Sequence, residues 1–288
     1  MSEPCRVVQW ATGNIGRKTL RGIVEHPAMT LAGLYVYDPE KVGHDAGELC
    51  GMDAVVGVLA TGSIEDVVAA GADCVLYMPR MFEVDDVCLL LESGANVVTT
   101  CGQFHHPPSM DAALRTRVEA ACEAGGASIH STGSSPGFIS EAVPLVLTSI
   151  QRRLDSVSIE EYADLSKRNS PELLFDIMGF GRALAPFHQA RADHLSSSFG
   201  PSLRLVADAV GLPRPRRATR RTVRSTSWRR CVRRRRASGR RSTCRMPSPR
   251  SASGGHCSAG VGYGEVGYPS PYQWMRIGAC DVTVFGTR

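Results

Sequence analysis

The residues whose types and spacing can do chemistry stand at the front of the chain. Arg6-Val7-Val8-Gln9-Trp10 reads as a short apolar strand, Ala11-Thr12-Gly13-Asn14-Ile15-Gly16-Arg17 as a turn of small residues, and Lys18–Glu25 as a helix. A strand that turns straight into a helix N-terminus leaves backbone N–H groups and the positive end of the helix dipole facing outward, which favours an anion. Glycine in such a turn lets a phosphate approach the backbone. The spacing is A-x-G-x-x-G, with Ala11 where the usual pattern has its first glycine. Alone it is weak, because glycines at a strand–helix junction are often only turn chemistry. A second strand, Leu31–Tyr37, ends in Asp38, 22 residues after Gly16. A carboxylate at that distance suits a ribose 2′-hydroxyl, and Lys41 nearby suits a 2′-phosphate instead. Asp38-Pro39 equally resembles an ordinary turn. Strand, turn, helix and acid in this order predict a bound nicotinamide dinucleotide, with NAD and NADP both open.

Such residues need a sheet to hold them. Residues 6–135 alternate strand and helix in the manner of an open parallel sheet. Val55–Leu59 is expected as a strand and Ser63–Ala70 as a helix. Asp73–Met78 is a continuous apolar run of the kind covered on both faces, ended by Pro79. Asp85–Ser93 is expected as a helix closed by Gly94, Asn96–Thr100 as a strand, Met110–Ala124 as a helix and Ala127–His130 as a sixth strand. Strand ends line the ligand crevice of such sheets, so Met78, Pro79, Thr100, Cys101 and Gly102 are expected along the same dinucleotide.

From Gly133 the character changes. Gly133–Phe138 is a tight glycine–proline turn followed by a helix to about Leu147, and Ser156–Ala163 alternates like a strand. Ser170 and Pro171 then open a helix. The expected fold class is α/β: a Rossmann-type doubly wound parallel sheet over residues 1–135, then an incomplete α+β substrate domain over 136–212. Residues 213–288 form an arginine-rich segment, expected to be without order or out of frame.

Composition narrows the function classes. The 288 residues leave room for two domains. No apolar run approaches the about 20 residues of a membrane span, so no membrane partner is expected. Met1-Ser2-Glu3-Pro4 lacks the features of a signal peptide. Ten cysteines are scattered with no C-x-x-C pair. Cys74, Cys88 and Cys122 read as buried free thiols, which suits a reducing cytoplasm. Cys101 and His105 lack the remaining ligands of a zinc site, and no metal is expected. His105-His106 reads as a solvent-facing loop. Ser134 and Ser135 suit a substrate carboxylate through hydroxyl and N–H groups, and as turn residues are equally explained.

With these pieces in place the chain resembles the dihydrodipicolinate-reductase superfamily. More closely, it is similar to the NAD(P)H-dependent amine dehydrogenases related to 2,4-diaminopentanoate dehydrogenase. Gly13–Arg17, Pro39–Gly43, Asp45–Leu49, Val98–Gly102, Ser135–Phe138 and Glu160–Ser166 carry the resemblance, which covers about residues 5–212. It implies a two-domain oxidoreductase that moves hydride between nicotinamide C4 and a C=N, C–N or C=C bond of an amino-acid-like small molecule. A homo-oligomer is compatible with it. In true dihydrodipicolinate reductases a substrate-domain strand carries a glutamate, a histidine pair, a lysine and a proline. Laid on this chain, the glutamate falls on Glu161, the lysine on Lys167 and the proline on Pro171. The histidine pair falls at about Ala163-Asp164, so the usual proton donor is missing. That speaks against the lysine-pathway reaction. It leaves Lys167 and Asp164 as catalytic candidates for proton transfer or charge pairing, with an exposed acid and base as the plain alternative.

The charge balance has a separate origin. Of 33 basic residues only Lys18, Lys41 and Lys167 are lysines, and sixteen arginines fall between Arg214 and Arg250, a stretch without lysine, aspartate or glutamate. Without them 17 basic residues face 28 acidic ones. A nucleic-acid tail would use such charge to release phosphate counterions. The stronger expectation is a one-base slip of reading frame, which turns the GAN and GCN codons of a GC-rich gene, when preceded by C, into arginine codons. Nucleic acid is therefore not the expected partner. Strands missing here would open the substrate side to water, whereas hydride transfer needs reactants held together and dry. Two alternatives to the enzyme stand beside it: a non-catalytic dinucleotide-binding remnant, and nucleic-acid binding through the arginine segment.

Overall fold

A computed structural model of the chain describes residues 3–161, 170–177, 179–180, 189–212, 273–277 and 280–287. The chain divides into two units, Met1–Phe138 with Ser197–Leu205, and Ile139–Ser196 with Val206–Arg288.

The first unit is built on strands β1 (Cys5–Trp10), β2 (Met29–Tyr35), β3 (Ala60–Thr61), β4 (Cys74–Tyr77), β5 (Asn96–Thr99) and β6 (Ile129–Ser131). Between them run helices α1 (Asn14–Glu25), α2 (Ala46–Cys50), α3 (Ile64–Ala69), α4 (Val84–Glu92) and α5 (Ala112–Gly125). All neighbouring strands are parallel, in the order β3-β2-β1-β4-β5-β6. That is the doubly wound, Rossmann-type α/β arrangement, with the order reversing at β1.

Alternation along β1 explains why both faces are covered. Val7 joins Leu20, Ile23, Leu31 and Leu34 on one face, while Val8 and Trp10 join Val75, Tyr77, Leu90 and Leu91 on the other. Each such buried side chain contributes about 1.5–3 kcal/mol, and together they hold the C-terminal strand ends in a fixed row.

Helix starts are set by side chains in the sequence. Ser63 accepts from the Asp66 N–H, and Asp111 from the N–H groups of Ala113 and Leu114. Asp45 does more: its carboxylate accepts from the N–H groups of Gly47 (2.8 Å), Val56 (2.9 Å) and Gly57 (2.8 Å). These bonds explain a departure from expectation. Val55–Leu59 is not a strand, because Asp45 takes N–H groups a sheet would need, and Val55 and Leu59 stay exposed. The strand falls instead on Ala60–Thr61, just after the expected segment.

The Val56 N–H, with those of Gly47 and Gly57, holds the Asp45 carboxyl below its ordinary value against the opposing effect of burial. A depressed folded-state value means the contribution is whole above the ordinary 3.8 and fades as pH falls through the lower folded value. An Asp45→Ala variant is therefore expected to show a lower urea midpoint at pH 7, a deficit that narrows in acid. A deficit that is constant down to pH 2.5 would contradict this.

Unit two opens after the Gly133–Phe138 turn. There the Phe138 N–H donates to the Gly133 carbonyl at 2.8 Å and Gly137 takes φ +130°. Helix α6 (Val143–Thr148) and strand β7 (Arg153–Glu161) follow. Leu174 N–H donates to the Ser170 carbonyl at 3.1 Å, so a helical turn begins where Ser170-Pro171 predicts it. Helices α7 (Gln189–Ser198) and α8 (Gly200–Ala209) lie across the boundaries of the units in sequence.

Strands β8 (Gln273–Ile277) and β9 (Cys280–Thr287) join β7 in an antiparallel sheet of order β7-β9-β8. Within the segment 213–288, expected to be without order or out of frame, the described residues are those of these two strands, and Trp274, Ile277, Val282, Val284 and Phe285 are residues that strands favour. The stretch 213–258 itself lies outside the described residues.

Candidate functional site

The turn after β1 is shaped by three constraints. Ala11 takes φ +73° and its N–H donates to the Tyr35 carbonyl on β2 at 2.9 Å. The fully buried Gln9 donates its amide to the carbonyls of Trp10 (2.9 Å) and Ala11 (3.0 Å). Its Oε1 has no partner among the described residues, a buried acceptor that costs about 1–3 kcal/mol. The third constraint is Gly16, where an added Cβ would overlap the Ala11 carbonyl oxygen and lie 2.9 Å from its carbon. The first turn of α1 thus lies directly against the end of β1.

Gly13 differs in kind. It is the N-cap of α1 with φ −69° and ψ −172°, a conformation open to any residue, and a Cβ there would meet no atom within 4 Å. No side chain caps α1 and no acidic residue sits in its first turn. The space before this helix end therefore faces uncompensated N–H groups, a cradle for an anion. The helix also starts earlier than its expected Lys18: Asn14, Ile15, Gly16 and Arg17 already form its first turn. Asn14, Ile15 and Arg17 are exposed, and Thr12 is buried.

Beyond β2, Asp38 accepts from the Glu40 N–H at 3.1 Å and caps a short turn, Pro39–Lys41. Lys41 Nζ lies 3.9 Å from the Asp38 carboxylate and 3.4 Å from the Thr12 hydroxyl. Tertiary structure thus brings Asp38 and Lys41 to the turn that carries Thr12. All of these residues belong to the first unit.

The other expected contacts divide. Met78 N–H donates to the Trp10 carbonyl at 3.3 Å and its sulfur accepts from Thr19 on α1 at 3.3 Å, so it borders the turn. Pro79 is buried beside it, and Thr100 is half-buried at the end of β5. Cys101 is buried, its carbonyl accepts from Ser131 at 2.8 Å, and burial pushes its thiol upward, leaving it a neutral packing group. An added Cβ on Gly102 would lie 2.6 Å from the Ser198 carbonyl oxygen, so close packing requires this glycine. His105 and His106 do not face solvent as expected. They are 3% and 6% exposed, because short turns at Gly102–Phe104 and Pro107–Ser109 fold the loop inward, with Phe104 packed edge-on against Phe82 at 5.3 Å.

Ser134 is exposed and Ser135 half-buried in the glycine–proline turn, and Glu161 is the last residue of β7, opposite Cys280. Asp164 and Lys167 lie outside the described residues. Among the described residues no cluster could hold a metal ion, and no helix is long and apolar enough to cross a membrane.

One feature of this edge has no signal in local sequence. Trp10, Tyr35 and Tyr77 stand side by side in the register of β2, β1 and β4, with Trp10 and Tyr35 stacked at 3.8 Å. The indole N–H donates to the Tyr37 hydroxyl at 2.8 Å, and the Tyr77 hydroxyl accepts from the Glu83 N–H at 3.0 Å. Burial pushes both Tyr37 and Tyr77 upward, so their hydroxyls stay neutral near pH 7. Strand register, not spacing along the chain, assembles this group.

The sequence matches no protein-family model. It is 32% identical over 216 residues to an amine dehydrogenase of Streptomyces virginiae, covering 71% of this chain and 59% of that protein. It is 23% identical over 159 residues to the 2,4-diaminopentanoate dehydrogenase of Acetoanaerobium sticklandii, covering 52% of this chain and 44% of that protein. Among solved structures, an amine dehydrogenase from Mycobacterium smegmatis superposes with a TM-score of 0.59 at 21% identity, over 72% of this chain and 62% of that one. The chain thus spans about three fifths of the length of the first of these relatives. By this likeness, and by its Rossmann-type sheet, the chain is similar to the amine dehydrogenases and dihydrodipicolinate-reductase-like proteins.

Proposed function

We propose that the chain is an NAD(P)-dependent oxidoreductase acting at the amine or imine carbon of a small amino-acid-like substrate. The observation that carries this reading is the open volume at Gly13 before an uncapped helix end. A pyrophosphate there accepts hydrogen bonds from the first-turn N–H groups and neutralises the helix dipole. Ala11 through Arg17 hold the phosphates, Met78, Pro79, Thr100, Cys101 and Gly102 form the edge along which the dinucleotide extends, and Asp38 accepts from the adenosine ribose. When bound, the nicotinamide supplies or takes up hydride at C4. Ser134, Ser135 and Glu161 hold substrate charge, and Lys167 or Asp164 takes the proton from the amine nitrogen as the C–N bond becomes C=N.

NAD is the dinucleotide this site suits better. Lys41 is already engaged by Asp38 and Thr12, and the Asp38 carboxylate repels a 2′-phosphate. Asp38→Ser is expected to weaken NAD about tenfold, the worth of one charged hydrogen bond, and to weaken NADP less. Equal losses for both would leave Asp38 only its capping role at Pro39–Lys41.

The deciding experiment titrates the full chain with NADH and NADPH by calorimetry, then assays turnover on a panel of amino and diamino acids. Saturable binding with turnover supports the proposal, and absence of binding by either dinucleotide ends it. Binding without turnover favours a second reading, a cofactor-binding protein without catalysis. That reading draws on the arginine-rich stretch interrupting the substrate half of the chain.

A further inference from the structure

We propose that Gln9 is a positioning residue, whose buried amide clamps Ala11 in the left-handed conformation that the phosphate turn needs. The clamp rests on the dinucleotide site proposed above. Among the described residues Ala11 is the one non-glycine residue with positive φ. L-residues avoid this region because Cβ crowds the following carbonyl oxygen, so something must hold the Ala11 peptide in place. Gln9 is fully buried two residues earlier, and its Nε2 donates to the Trp10 and Ala11 carbonyls, the two that flank the Ala11 Cα. The reversed amide would set Oε1 against two carbonyl oxygens, so the orientation follows from electrostatics. On the other side the Ala11 N–H is fixed by Tyr35. The same Ala11 carbonyl lies over Gly16, so its direction determines where the turn delivers Thr12 and Gly13. A glycine at position 11 would adopt this conformation unaided. Alanine there makes the turn dependent on its neighbour.

The clamp makes Gln9 and Ala11 energetically coupled, and a double-mutant cycle reads the coupling. Gln9→Met keeps side-chain length but removes the donor. In the wild-type background it should raise the dissociation constant for NADH about tenfold and lower the urea midpoint. In the Ala11→Gly background the same change should raise the dissociation constant by no more than about twofold.

An unchanged affinity for Gln9→Met, or an equal loss in both backgrounds, would overturn the clamp. Should Gln9→Met fail to fold alone, recovery of a folded, NADH-binding chain on adding Ala11→Gly supports it, and failure in both backgrounds overturns it. Absence of NADH and NADPH binding by the wild type would instead fault the cofactor proposal. The urea-midpoint cycle then still decides the clamp, with additive losses overturning it.

Discussion

Gly16→Ala is expected to lose about 2 kcal/mol of stability and most of its affinity for a dinucleotide. Two effects oppose each other at this position. Alanine inside a helix is favoured over glycine by about 1 kcal/mol. Overpacking typically costs about 1–3 kcal/mol and occasionally more. Here the obstacle is the Ala11 carbonyl group rather than a flexible side chain, so no rotamer change relieves it, and the overlap wins. Either α1 moves off β1 or the turn opens, and both displace the N–H groups proposed to bind the phosphate. Urea unfolding checks the first effect and calorimetry with NADH the second. A Gly16→Ala chain at least as stable as wild type would show that α1 does not approach β1 this closely.

Gly13→Asp is expected to separate folding from binding. Aspartate is a preferred N-cap residue, and the Gly13 backbone already has an extended N-cap conformation with room for a side chain. Its carboxylate can accept from the first-turn N–H groups and complement the helix dipole, so stability should hold or rise by up to about 1 kcal/mol. The same carboxylate would stand where the pyrophosphate is proposed to bind. Two unit charges about 4 Å apart at an effective dielectric of about 20 repel by about 4 kcal/mol, so NADH affinity should fall about 100-fold or more. Gly13→Ser is the matched control, able to cap without charge and expected to lose far less. Wild-type affinity in Gly13→Asp would mean that the phosphates do not sit at the start of α1, whatever the chain binds elsewhere.

These two glycines also mark how far local sequence reaches. The pattern A-x-G-x-x-G places both in one turn and gives both the same reason, access for a phosphate. In the folded chain Gly13 has open space beside an uncapped helix end, as that reason requires, while Gly16 is required by protein packing. Gly102 follows the same course: it stands at a strand end near the expected cofactor path, yet the group that demands a glycine is Ser198, 96 positions later. His105 and His106 look like polar loop residues by neighbourhood, and only the inward fold of their loop buries them. Val55–Leu59 has the composition of a strand, but Asp45, ten or more positions earlier, takes the N–H groups of Val56 and Gly57.

The sequence alone determined the alternation of strands and helices over residues 5–131, the small-residue turn after β1, the acidic residue after β2 and the likeness to amine dehydrogenases. Each of these is written in residues within about one element's length, through apolar periodicity, capping side chains and turn chemistry. Tertiary structure alone decided the aromatic row of Trp10, Tyr35 and Tyr77, the approach of Lys41 to Thr12, the burial of Gln9 and the pairing of β9 with β7. Those contacts join residues that share no local pattern. They exist because parallel strands in register and helices packed on both faces bring distant side chains to one sheet edge, which no spacing along the chain encodes.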